Sequence, residues 1–233
     1  MTLSAVVAMT ANNRPKYLHR VLQTWEAAND LHKLPFIFQV EPVMPMVMDM
    51  CKAFPGTNVV NINPYVYGAL GNPWHALNTG FEYGADFVIL AEDDSVVSPD
   101  VLDYFYWAST HFQGRQETLA VCSFNHFSNG RSNEVFRRKW FASVVWGTWR
   151  NRWEQLMRED WGWDYGGDGP WDTRFVRMMP ERNMNCLFPC VSRSQHIGEH
   201  GTHMDASMFH KLQADSLHVS PRITSFKEVH PDG

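Results

Sequence analysis

Residues 85–94 read Ala85-Asp86-Phe87-Val88-Ile89-Leu90-Ala91-Glu92-Asp93-Asp94. The uncharged run Phe87 to Ala91 is rich in β-branched and bulky side chains, with no polar residue to face water, as in a strand covered on both faces. Three carboxylates follow at once. Upstream, Trp74 to Gly84 has helical spacing with Asn72-Pro73 at its start, and Asn58 to Ile62 is a short strand closed by the turn residues Asn63-Pro64. Phe36 to Val40 is another strand, ending at Glu41-Pro42, with a helix between it and residue 58. The apolar run Leu3 to Thr10 is a first buried strand. After it Pro15 opens a helix, in which Tyr17, Leu18, Val21, Leu22 and Trp25 recur on one face.

Strands alternating with helices predict an α/β fold with a mostly parallel sheet flanked by helices, arranged as a single domain over residues 1–233. Such sheets bind ligands beyond the carboxyl ends of their strands, so Thr10 to Arg14, Glu41 and Glu92 to Asp94 are expected to share one rim. Past Pro99-Asp100, the spacing predicts a helix over Val101 to Phe112, strands at Leu119 to Phe124 and near Phe141 to Val145, and a helix over Trp149 to Arg158. Trp140, Trp146, Trp149, Trp153, Trp161, Trp163 and Trp171 crowd this half. Aromatic faces stack on sugars and nucleobases, but for any one tryptophan core packing is the first expectation.

Composition narrows the classes. With 44% hydrophobic residues over 233 positions, the chain can fill a real core. A net charge of -5 gives no global reason to bind a polyanion, so nucleic-acid binding would need a local basic patch; Arg131, Arg137, Arg138 and Lys139 read as a solvated loop. The first apolar stretch is too short for a membrane span and carries no basic leader, which predicts no membrane association and a cytoplasmic location, bacterial or in a phage-infected host. The four cysteines do not have zinc-knuckle spacing.

Hard carboxylate oxygens at a strand's end suit Mn2+ or Mg2+. A divalent ion neutralises a diphosphate leaving group without a proton donor, and an Asp-x-Asp pattern serves that chemistry. The alternative is a helix cap or a solvated turn.

A longer pattern surrounds the triplet. Gly71-Asn72-Pro73-Trp74-His75-Ala76-Leu77-Asn78-Thr79-Gly80 precedes it, and Ser95-Val96-Val97-Ser98-Pro99-Asp100 follows. Downstream lie Val121-Cys122-Ser123-Phe124-Asn125 and Trp171-Asp172, then Cys186, Pro189 and Val191-Ser192-Arg193-Ser194. These segments resemble the N-acetylglucosaminyltransferase I family of GT-A glycosyltransferases over most of residues 5 to 205. The resemblance implies a GT-A (Rossmann-like) fold, with residues 1–100 holding the nucleotide sugar and 101–233 carrying the acceptor site and catalysis. It also implies metal-dependent, inverting transfer from a UDP-sugar donor, with N-acetylglucosamine first, to a hydroxyl. The acceptor is left open among a glycan, a protein and a modified nucleobase.

Carried over residue by residue, the resemblance makes Asp94 the metal ligand and places Asp93 on the ribose or on metal-bound water, with Glu92 beside them. Thr10, Arg14, Glu41 and Asn72 join the donor-binding set; an arginine there is a natural charge partner for diphosphate. Asp172 falls where the family has its general base, although Thr173 stands where some members have a second Asp. Asp168, with Asp164, is the fallback. Glycines in 195–203 favour a flap over the donor rather than a helix, bringing His196 or His203 near the phosphate or the metal. Cys122 and Cys186 match positions that are disulfide-bonded in secretory relatives; here they are expected to lie close together and reduced. The rival classes are a nucleotidyltransferase, which calls for a glycine-rich basic loop that Thr10 to Arg14 does not supply, and a non-catalytic sugar- or nucleotide-binding module.

Overall fold

The computed structural model describes residues 3–55, 58–127, 129–163, 171–199, 207, 209, 217 and 222–230. The apolar run before the triplet is strand β4 (Phe87–Glu92), bonded on both edges: parallel to β1 (Ala5–Ala11) and antiparallel to β8 (Trp146–Trp149). The pleat divides its side chains between two cores. Phe87, Ile89 and Ala91 enter one together with Ala5, Val7, Met9 and Ala11 of β1; Val88 and Leu90 enter the other with Val6 and Ala8. A strand needed by two cores has no place for a polar residue, which is why this segment is apolar throughout.

Helices α1 (Pro15–Glu26), α2 (Pro45–Ala53) and α4 (Val101–Phe112) contribute to the first core, through Leu18, Val21, Trp25, Val47, Cys51 and Phe105 among others. Helices α3 (Gly68–Glu82) and α6 (Trp171–Glu181) contribute to the second, through Ala76, Leu77, Phe81, Phe175 and Met178. Beyond β1 run β2 (Phe36–Val40) and β3 (Asn58–Ile62), all parallel. On the other side, past β8, come β6 (Thr118–Cys122), β9 (Asn185–Pro189), β7 (Glu134–Arg138) and β11 (Lys227–Glu228), giving the order β11-β7-β9-β6-β8-β4-β1-β2-β3 among the described residues. A separate antiparallel pair joins β5 (Ser95–Val97) to β10 (Ser194–His196). No helix among the described residues is long and apolar enough to cross a membrane.

The first half follows the sequence pattern closely, and the departures have tertiary causes. α3 begins at Gly68 rather than Trp74 and carries Pro73 inside it. Its early start is held by a remote side chain: Glu41 accepts from the Tyr67 and Gly68 amides, capping donors that local sequence leaves unsatisfied. The strand expected near Phe141 to Val145 lies instead at β8. Val145 takes a left-handed backbone (φ 45), which no strand tolerates, and the Phe87 ring packs where a Cβ on Gly147 would stand 2.5 Å away. The helix expected over Trp149 to Arg158 is one α turn, α5 (Arg150–Arg152), followed by a π-helical turn Trp153–Met157. The basic run read as a loop supplies β7, where Arg137 bonds Glu228 at 2.6 Å and Glu117 at 2.9 Å. Trp146, Trp149, Trp153, Trp161 and Trp171 are core, whereas Trp140 and Trp163 are exposed. Cys122 and Cys186 lie on the paired strands β6 and β9 as free thiols; burial, and then the hydrogen bond with Cys122, hold the Cys186 thiol well above its ordinary value.

α3 packs tightly on β4 at Gly80, where an added Cβ would come within 2.8 Å of Val88. Gly80→Ala is expected to push α3 off β4 and cost about 1–3 kcal/mol, read as a lower midpoint in thermal denaturation.

Candidate functional site

The register Thr10↔Glu92 aligns the ends of β1 and β4, so the loop after β1 lies over the acidic triplet. The Asn12 amide donates to Asp93 Oδ2 at 3.0 Å. Arg14, the residue before Pro15, forks its guanidinium, one Nη on Asp93 Oδ1 and the other on Asp94 Oδ2. Both carboxylates are almost fully buried, at 1% and 2% exposure. Side-by-side buried anions repel in a medium of low dielectric, and a planar cation between them is the arrangement that offsets it.

Asp94 is also gripped from the C-terminal half. β10 pairs with β5 and brings His196 Nε2 to 3.2 Å from Asp94 Oδ2, and the Ile197 amide donates to the Asp94 carbonyl at 2.7 Å. Gly198 follows at a distance only glycine allows, because a Cβ there would stand 2.6 Å from Asp94 Oδ2. Gln195 and His196, expected as part of a flap, belong instead to strand β10. Asp94 Oδ1 is buried and meets no hydrogen-bond donor among the described residues.

The three carboxyls respond differently. Burial pushes Asp93 up to about 6 against the pull of Arg14. Burial also works on Asp94, but the His196 bond and then Arg14 outweigh it and hold this group below its ordinary value. Glu92 is half-buried as a residue, yet its carboxyl is enclosed; burial first, then the neighbouring charge of Asp94, push it up to about 8, with Asp93 and Asp172 adding to the rise. That influence places Asp172 within electrostatic reach of the triplet. Asp172 stands in the first turn of α6, where its Oδ2 accepts from Ser143 Oγ at 2.8 Å.

Thr10 is buried at the end of β1, its hydroxyl 3.5 Å from the Ala91 carbonyl. Glu41 and Asn72 belong to a second polar knot. Besides the amides of Tyr67 and Gly68, Glu41 accepts from Asn63 Nδ2 at 2.9 Å; Asn63 also donates to Asn72 Oδ1 at 2.9 Å, and Asn72 reaches the Gln39 carbonyl. In this structure both carboxylate oxygens of Glu41 fasten the start of α3. The structure thus brings Arg14, Glu92, Asp93 and Asp94 together, sets Thr10 at their edge and Asp172 within reach, and engages Glu41 and Asn72 in the scaffold. Asp164, Asp168 and His203 lie outside the described residues. Asn12, Gly198 and Ser143 were not legible as site residues, since a backbone amide, a close approach and a lone serine carry no sequence signature. Among the described residues no group of three or more His, Cys, Asp or Glu could hold a metal by itself.

The model of the GNT-I family matches residues 74–230. The chain belongs to the GNT-I family. A similar curated GNT-I relative is the alpha-1,3-mannosyl-glycoprotein 2-beta-N-acetylglucosaminyltransferase of Arabidopsis thaliana, 28% identical over 121 residues, which are 49% of this chain and 26% of that protein. The match thus spans about a quarter of the relative's length. Two solved structures share the fold at low identity. The mannosyltransferase PcManGT from Pyrobaculum calidifontis, in complex with GDP-Man and Mn2+, has a TM-score of 0.55 at 14% identity, over 81% of this chain and 55% of that one. TarS 1-349 of S. aureus has a TM-score of 0.57 at 11% identity, over 80% and 57%. The fold of this GNT-I family member is GT-A.

The raised Glu92 has a consequence for stability. Unfolded, this carboxyl releases its proton near its ordinary 4.5; folded, it keeps it to about 8. Between those values the folded state binds more protons than the unfolded one, so this group makes stability fall as pH rises through the window. Glu92→Gln is expected to flatten that slope and to raise the midpoint of the metal-free protein at pH 8, as followed by urea denaturation at several pH values.

Proposed function

We propose that this protein is a metal-dependent, inverting glycosyltransferase that moves a sugar, with N-acetylglucosamine first in line, from a UDP-sugar to an acceptor hydroxyl. The observation that carries the reading is Asp94, a buried carboxylate at the end of a core strand with one oxygen already bonded and the other, Oδ1, without a donor among the described residues. An orphaned hard oxygen in a polar crevice fits a cation. The lack of a three-residue cluster among the described residues agrees with Mn2+ or Mg2+, which are typically held by one or two carboxylates with substrate phosphates and water completing the shell. Asp94 would hold the ion, with Asp93 beside it. When bound, the ion supplies positive charge to the departing diphosphate.

The chain's own residues supply the rest. Arg14 adds a second, permanent positive charge on the same rim, with more donors than its two carboxylate bonds consume. Gly198 and His196 close over Asp94 and limit water there. Asp172 is the general base: its carboxylate takes the acceptor hydroxyl's proton as the new C–O bond forms, while the old anomeric C–O bond breaks with its electron pair leaving on the phosphate. Membership of the GNT-I family supports this assignment of roles.

The test is a thermal-shift panel of UDP-N-acetylglucosamine, UDP-glucose and GDP-mannose, each with and without Mn2+. A donor at about 100 times its Kd stabilises the native state by roughly 2.7 kcal/mol. The expected result is a rise for a UDP-sugar that needs Mn2+ and vanishes in Asp94→Ala. A rise indifferent to both the ion and that substitution would overturn the reading. Asp172→Asn should keep the shift and lose turnover.

A further inference from the structure

We infer that Ser143 is a positioning residue, held on a strained loop so that its hydroxyl fixes the Asp172 carboxylate towards the acceptor; this rests on Asp172 being the base. Three observations converge. Ser143 Oγ donates to Asp172 Oδ2 at 2.8 Å. Two residues later Val145 sits at φ 45, a conformation that a β-branched residue adopts only when its surroundings impose it. The imposing contacts are visible. Ser123 donates to the Val145 carbonyl through its amide at 3.0 Å and its hydroxyl at 2.6 Å, and Ser194 Oγ stands 3.0 Å from the Val144 carbonyl, its single proton shared between that oxygen and Ser123 Oγ.

Ser123 and Ser194 are fully buried, and their hydroxyls lie 2.6 Å apart. Ser194 opens β10, the strand that ends at His196 against Asp94. One buried hydroxyl pair therefore fastens both the strap over the acidic triplet and the loop that presents Ser143. The two serines hold a strained turn at Val145, which is itself fully buried in the first core. The effect of the strain is to turn the backbone at residue 145 and leave Ser143 facing the first turn of α6. The bond orients the Asp172 carboxylate on the first turn of α6.

The experiment measures UDP release from UDP-N-acetylglucosamine with Mn2+, water serving as acceptor, for the full chain and for Ser143→Ala, Ser143→Thr, Asp172→Asn and the double variant Ser143→Ala with Asp172→Asn. Ser143→Ala should lower kcat about 10-fold with the donor KM unchanged. Threonine should restore most of it, and Ser143→Ala should have no further effect in the Asp172→Asn background. A fall of equal size in that background, or no fall in the single variant while Asp172→Asn is impaired, overturns the inference. An unimpaired Asp172→Asn sinks the base assignment itself. A readout free of turnover is the carboxyl 13C titration of Asp172 in protein also carrying Glu92→Gln, which removes the neighbouring group that acts with it. Loss of a donor to the ionised form should move the Asp172 titration upward in Ser143→Ala and leave it in place in Ser143→Thr; an unmoved titration in Ser143→Ala also overturns the inference.

Discussion

Two aspartates buried next to each other at the end of a core strand constrain everything around them. In a low-dielectric surrounding their charges raise each other's free energy, and each loses its hydration as well. Arg14 answers both costs at once, since a planar guanidinium reaches two carboxylates from one side. It does so from the loop after β1, so that β1 and β4 must pair in the register that sets Thr10 opposite Glu92. The apolar character of both strands, the two cores they feed and the short loop before Pro15 all serve that register.

The compensation is incomplete. Asp93 is pushed up to about 6, Glu92 to about 8, and Asp94 keeps one oxygen without a donor among the described residues. A protein selected for stability alone would satisfy that oxygen or replace the cluster with apolar side chains, which often costs nothing. Retained negative potential in a crevice is what a divalent cation and a diphosphate would complete. The structure thus holds its carboxylates in a state that ligand binding relieves.

The C-terminal half contributes through contacts that cross long stretches of sequence. β10 reaches back to β5 to set His196 and Gly198 on Asp94, and the Ser123–Ser194 pair joins that strap to the loop carrying Ser143. Trp146, Trp153, Trp161 and Trp171 fill the second core, while Trp149 packs in the first; Trp161 and Trp171 stack with centroids 4.6 Å apart and support the start of α6, where Asp172 stands. The aromatic richness of this half is chiefly the floor of the site.

The sequence by itself determined the α/β alternation, the position of β4 and the acidic triplet at its end, because a strand buried on both faces leaves an uninterrupted apolar run and hard carboxylates leave an obvious mark. It also supplied the family, through motifs that extend from residue 71 to residue 194. Only the tertiary structure decided which partners those groups have. Glu41 caps a helix across the sheet, Gly198 is glycine because of a carboxylate more than a hundred residues away, and Val145 is bent by one serine just past β6 and another in β10. Periodicity reports which face a residue buries. It says nothing of the remote atom that face will meet, and at this site the remote atoms set the charge, the spacing and the strain.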